Sequence, residues 1–157
     1  AIIGVFAGMT FWFPKMFGRM MNEFWGKVHF WITIIAFNCI FIPLFFLGAA
    51  GQHRRIYNFQ NFPDLSHDWM VSTREFATIA LVIMLLAQVI FLINFFGSMW
   101  KGKKASRNPY NANTLEWVAP SPPGHGNFEE LPTVYRGPYE YSVPGREEDY
   151  WPQNVPS

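Results

Sequence analysis

The residues best equipped for chemistry in this chain are two adjacent arginines, Arg54 and Arg55, at the end of a long uncharged run. From Val28 to Gln52 the polar side chains are His29, Thr33, Asn38, Cys39 and Gln52, and none carries a fixed charge. A guanidinium so close to low dielectric is costly unless it reaches water or an anion. Two readings follow. Adjacent cations at the end of a span can anchor lipid headgroups or set topology. Alternatively, guanidinium forks bind carboxylates bidentately and stay charged when partly dehydrated, which suits a buried cofactor carboxylate. Composition does not choose between them.

The other reactive side chains form no recognisable motif. His29, His53, His67 and His125 lack the i, i+2 or i, i+4 spacing of a metal site, and none adjoins a cysteine. His29 lies at a span boundary, where a hydrogen-bonded or interfacial role competes with a haem or proton-path role. His53 beside the arginines reads as loop structure, with cofactor contact as its alternative. Cys39, the single cysteine, sits in an apolar run as a packing thiol. Phosphate loops, nucleophile motifs and paired catalytic carboxylates are absent; Asp64 and Asp68 read as solvated loop acids. The seven methionines are too scattered for a copper box. The net charge of +1, with basic residues gathered at span edges, gives no reason to invoke nucleic acid.

Membrane helices must position whatever the arginines do. Half of the 157 residues are hydrophobic, 17 of them Phe. A span needs about 20 apolar residues at ~1.5 Å rise each. Residues 28–51 and 76–100 meet this, the second without a formal charge. Residues 1–14 are too short to span alone and read as the end of a transmembrane helix, with a re-entrant or interfacial piece as the alternative. Its Phe11-Trp12-Phe13-Pro14 resembles an interfacial belt with a helix stop. Pro43 is expected to kink residues 28–51 without ending them. The fold class expected is an all-α membrane protein.

Charge sets the orientation. Segment 15–27 has Lys15, Arg19 and Lys27 against Glu23, and Lys101, Lys103, Lys104 and Arg107 meet no acid before Glu116. Both segments read as cytoplasmic. The loop 52–75, where Arg54, Arg55 and Arg74 are offset by Asp64, Asp68 and Glu75, reads as external. The tail 101–157 carries most of the prolines and too few aliphatics to order itself alone. It is expected to be irregular, lying on the cytoplasmic face of a larger body. Trp117, Phe128, Tyr135, Tyr139, Tyr141, Tyr150 and Trp151 are its candidate docking aromatics.

Several stretches resemble subunit I of the haem-copper oxidases. Val5-Phe-Ala-Gly-Met-Thr-Phe-Trp-Phe-Pro-Lys-Met-Phe-Gly18 is similar to the end of that family's tenth helix, and Asn22-Glu-Phe-Trp-Gly-Lys-Val-His-Phe-Trp31 to the start of its eleventh. Phe46-Leu-Gly-Ala-Ala-Gly-Gln-His-Arg-Arg-Ile-Tyr57 resembles the haem-propionate loop. Asn113-Thr-Leu-Glu-Trp117, Pro120-Ser-Pro-Pro123 and Asn127-Phe128 resemble the cytoplasmic tail. The landmarks fall in order over nearly the whole chain, and bacterial cytochrome c oxidases resemble it most.

The resemblance implies a twelve-helix, oxygen-reducing proton pump of the bacterial inner membrane, with two haems and copper in the complete subunit. It implies that Arg54 and Arg55 hold haem propionates. The implied partners are the remainder of subunit I, oxidase subunits II and III, cytochrome c as electron donor, and the bilayer. The related quinol oxidases are the nearest alternative; a non-catalytic membrane scaffold is another. In the family the metal-ligating histidines of the tenth helix lie just before the position of Ala1. This chain is therefore expected to be the carboxy-terminal part of a longer subunit or one product of a split one. His53 stands where proline is usual, and Leu44-Phe45-Phe46 lacks a histidine common in that span.

Overall fold

The computed structural model describes residues 1–128, 130–140 and 142–156; the side chain of Gln60, and Tyr141 among the candidate docking aromatics, lie outside the described residues. The fold is all-α as expected, and the named elements among the described residues are α1 (Ile2–Phe17), α2 (Glu23–Ala49), α3 (Asp68–Lys101) and three short 3-10 turns. The helices α2 and α3 are long and apolar enough to cross a membrane, their most apolar 18-residue windows having mean hydropathies of 2.3 and 2.8. Both outrun their apolar cores. Glu23 and Asp68 each stand in a first turn, where the helix dipole favours a carboxylate. Part of the stretch that charge alone reads as loop, from Asp68 to Glu75, is therefore helix.

Pro14 is not the stop that the aromatic belt suggested. It lies inside α1, which runs on to Phe17 and ends at Gly18 in the left-handed region, φ 65°. The Gly18 N–H donates to the Pro14 carbonyl at 2.8 Å, so proline supplies the acceptor that closes the last turn. Gly18 is confined as well as bent: a Cβ there would lie 3.0 Å from Pro122 Cδ and 3.1 Å from the Ser121 carbonyl.

Residues 23–95 form one compact unit. Its buried stripe on α2 is His29, Thr33, Ala36, Ile40 and Leu47, one helical face. On α3 the buried residues include Ala77, Ala80 and Ala87, small side chains that let backbones approach closely, and the larger Phe91. One polar bridge crosses the pair. His29 Nε2 pairs with Gln88 Oε1 at 3.1 Å, and the Gln88 amide donates to the Met84 carbonyl at 2.8 Å and Thr33 Oγ1 at 3.4 Å. His29 is 6% exposed and rests 5.1 Å from the Phe91 ring.

Residues 1–22 and 96–157 form the second unit. Its tail is irregular, as expected, but held by specific hydrogen bonds. Buried Gln153 ties three strands of chain together: its side chain accepts from Leu115 N–H at 3.1 Å and donates to the Arg136 carbonyl at 2.9 Å, while its carbonyl accepts from Tyr135 N–H at 2.9 Å. Trp117, read as docking onto another surface, is only 1% exposed because α1 receives it. It meets Phe11 and Tyr110 edge-on at 5.1 and 5.0 Å, and Lys15 Nζ lies 5.3 Å from its ring centre.

Lys15 closes this contact. Its ammonium donates to the carbonyls of Ala119, Arg107 (3.0 Å) and Pro120 (3.5 Å), and the residue is 7% exposed. Burial, and after it the Arg107 guanidinium, pushes the Lys15 pKa down, with Glu116 acting the other way.

Tyr110 stacks on Phe11 at 5.1 Å, and burial pushes its pKa up. The folded chain thus keeps a proton that the unfolded chain releases near pH ~10. That contribution is complete below the unfolded value and is lost as pH rises through the folded one. The tail should loosen in alkali, and Tyr110→Phe should flatten this part of the pH profile. Proteolytic release of the tail from parent and variant, followed from pH 8 to 11.5, checks it; parallel profiles would refute the assignment.

Candidate functional site

The loop between α2 and α3 carries the arginine pair, and its base is tightly built. Leu47, Leu65 and Met70 form a buried apolar cluster, with Ile56 and Phe59 packed against it. The end of α2 is closed by Ala50 N–H to the Phe46 carbonyl (3.0 Å), Gln52 N–H to the Leu47 carbonyl (3.0 Å) and Gly51 N–H to the Gly48 carbonyl (3.1 Å). Gly51 takes φ 95°, a conformation natural to glycine. Two 3-10 turns follow, Phe59–Asn61 and Pro63–Leu65. The Ser66 hydroxyl braces them by donating to the Phe59 and Phe62 carbonyls, at 3.2 and 3.3 Å.

Arg74, on the second turn of α3, locks both ends of this loop. Its guanidinium donates to Gln52 Oε1 (3.2 Å) and the Leu65 carbonyl (3.0 Å), and stacks over Phe59 at 4.2 Å. The sequence marked Arg74 only as a loop charge; its place near a helix start, facing the loop's own carbonyls, was the missed signal.

The arginines of the pair do the opposite. Arg54 and Arg55 form a turn of their own between Gln52 and Ile56, both exposed. Among the described residues neither has a hydrogen bond or ion pair, and neither Asp64 nor Asp68 pairs with them. Arg55 sits in the left-handed region at φ 62°, unusual for a residue with a Cβ. Two fixed cations, held on a rigid base and left without a counter-ion, fit a ligand carboxylate.

The histidines do not converge with them. His53 is exposed beside Arg54, while His67 places its backbone carbonyl at the start of α3, accepting from Met70 N–H at 2.9 Å. Among the described residues no three His, Cys, Asp or Glu side chains gather where a metal could bind.

Comparison with known proteins shows what the chain is similar to. A family described as cytochrome c and quinol oxidase polypeptide I matches residues 1–73. The alternative cytochrome c oxidase subunit 1 of Bradyrhizobium diazoefficiens is 41% identical over 160 residues, covering 99% of this chain and 26% of that protein. The cytochrome c oxidase subunit 1 of Synechocystis is 41% identical over 140 residues, 88% of this chain and 24% of its own. A cytochrome bo(3) ubiquinol oxidase subunit 1 from Buchnera aphidicola is 39% identical over 133 residues, 85% of this chain and 20% of its own. The chain spans about a quarter or less of the length of these relatives.

Proposed function

The chain belongs to the haem-copper oxidase subunit I family, and from that premise we propose that Arg54 and Arg55 clamp haem propionates within a terminal oxidase that oxidises cytochrome c and reduces oxygen to water. The family includes both cytochrome c and quinol oxidases. Cytochrome c is taken here as donor, in keeping with the two cytochrome c oxidase subunits at 41% identity; the ubiquinol oxidase subunit at 39% lies within the range of the cytochrome c oxidases, so the donor is left to the assay below. The observation that carries the clamp is electrostatic: the pair is exposed, uncompensated and mounted on a base stiffened by Arg74.

In this reading the chain contributes binding and helix packing. Haem, when bound, supplies reversible one-electron transfer. Arg54 and Arg55 would hold its carboxylates, neutralise their charge and fix its edge against the loop. Arg74 acts one step back as a positioning residue, since it touches only the loop. The irons and copper would be ligated by the remainder of subunit I, with subunits II and III completing the complex. The charge distribution supports an external loop and a cytoplasmic tail in a bacterial inner membrane.

Arg54→Leu, introduced into the assembled oxidase, is expected to leave a propionate uncompensated, shift the haem midpoint potential and slow turnover at least tenfold. Redox titration of the haem absorbance provides the readout independent of activity. Parent-like potentials and turnover would overturn the clamp and leave the headgroup-anchor reading. Comparing reduced cytochrome c with a quinol as donor to the parent complex decides the substrate separately.

A further inference from the structure

The stretch immediately after α3 is a cationic rim on a fixed backbone. Lys101, Lys103, Lys104 and Arg107 fall within seven residues, and no acid occurs between Glu75 and Glu116. All four side chains are exposed, and none has a hydrogen-bond or ion-pair partner among the described residues. Their field is felt nearby, since Arg107 helps to lower the pKa of Lys15.

The backbone beneath the rim does not wander. Met20 N–H donates to the Lys103 carbonyl at 2.7 Å, Ala105 N–H to the Gly18 carbonyl at 3.0 Å, and Arg19 Nη1 to the Gly102 carbonyl at 2.7 Å. Arg19 and Lys104 thereby form an antiparallel bridge. A topology signal acts during insertion and requires no such geometry. A rim held in place by three hydrogen bonds suits a standing ligand.

The ligand's second half is indicated by what precedes the lysines. Phe96 and Trp100, one turn apart on α3, are 49% and 68% exposed, an apolar track that ends in an indole at the helix terminus. We propose that this rim binds the headgroup phosphate of an anionic phospholipid, with an acyl chain lying along Phe96 and Trp100. Lys101, Lys103, Lys104 and Arg107 meet the phosphate. The site is independent of the haem-propionate reading, because it uses no residue of the arginine loop.

The test is native mass spectrometry of the full-length membrane protein in its assembled complex, exchanged into micelles containing equal phosphatidylglycerol and phosphatidylcholine. The parent should retain phosphatidylglycerol selectively. The variant Lys101→Gln/Lys103→Gln/Lys104→Gln should lose that selectivity by about 100-fold, from roughly fivefold per charge removed. The arginine counterpart, Lys101→Arg/Lys103→Arg/Lys104→Arg, should keep it. Equal retention in parent and glutamine variant would overturn the proposal. So would displacement of the lipid by inorganic phosphate at equal concentration, because the site would then recognise phosphate without its diacyl chains. Should the glutamine variant fail to assemble, salt titration of the parent decides: selectivity must fall as ionic strength rises, and salt-insensitive retention refutes a charged site.

Discussion

Gly102→Ala is expected to destabilise the unit formed by residues 1–22 and 96–157 by about 3 kcal/mol or more. Gly102 follows the last residue of α3, and its N–H donates to the Ser98 carbonyl at 2.9 Å. A Cβ there would collide with that carbonyl and lie 2.6 Å from the Met20 carbonyl. Both obstacles are backbone atoms, and the Met20 segment is held by its own bond to Lys103. Neither can step aside as a flexible side chain would. Gly97→Ala is the matched control, since nothing lies within 4 Å of a Cβ at that position. It should change stability by about 1 kcal/mol at most. Thermal unfolding in detergent, followed by protease sensitivity at 101–105, measures both; equal behaviour of the two variants would refute the close crossing.

Lys15→Met should release the tail, at a cost of about 3 kcal/mol. Methionine retains much of the packing against Trp117 but leaves the carbonyls of Ala119, Arg107 and Pro120 without their shared donor. A hydrogen bond to a charged group contributes about 1.5–3 kcal/mol, and a buried acceptor left unpaired costs a similar amount. Part of that would be recovered by water at the more open carbonyls. The expected sign is a rise in Trp117 exposure with α2 and α3 unchanged. Collisional quenching of Trp fluorescence and limited proteolysis of 105–156 report it. A tail as protected as in the parent would show that the aromatic contacts suffice alone.

The helices were legible because burial in lipid demands long uncharged runs, and residues 28–51 and 76–100 state this without ambiguity. Their ends were not. Pro14 looked like a stop, although proline's own carbonyl can cap the turn that Gly18 ends. Asp68 looked like loop, although a carboxylate there suits a first turn. The arginine pair was visible from residue type alone, and the structure adds that Arg54 and Arg55 have no ion pair or hydrogen bond among the described residues while Arg74 is engaged. Least legible was the docking of the tail. Lys15 binds main-chain carbonyls, which every residue possesses, so no side-chain pattern announces its partners.

The Lys15 contact also orders events in the life of the chain. Its acceptors lie 92 to 105 residues downstream. During synthesis α2 and α3 can pair, with His29 meeting Gln88, while the ammonium at the end of α1 still has only water to bind. Closure waits until Pro120 has emerged, and such distant contacts form slowly. Docking of the tail on α1 therefore cannot be completed before α2 and α3 have been synthesised.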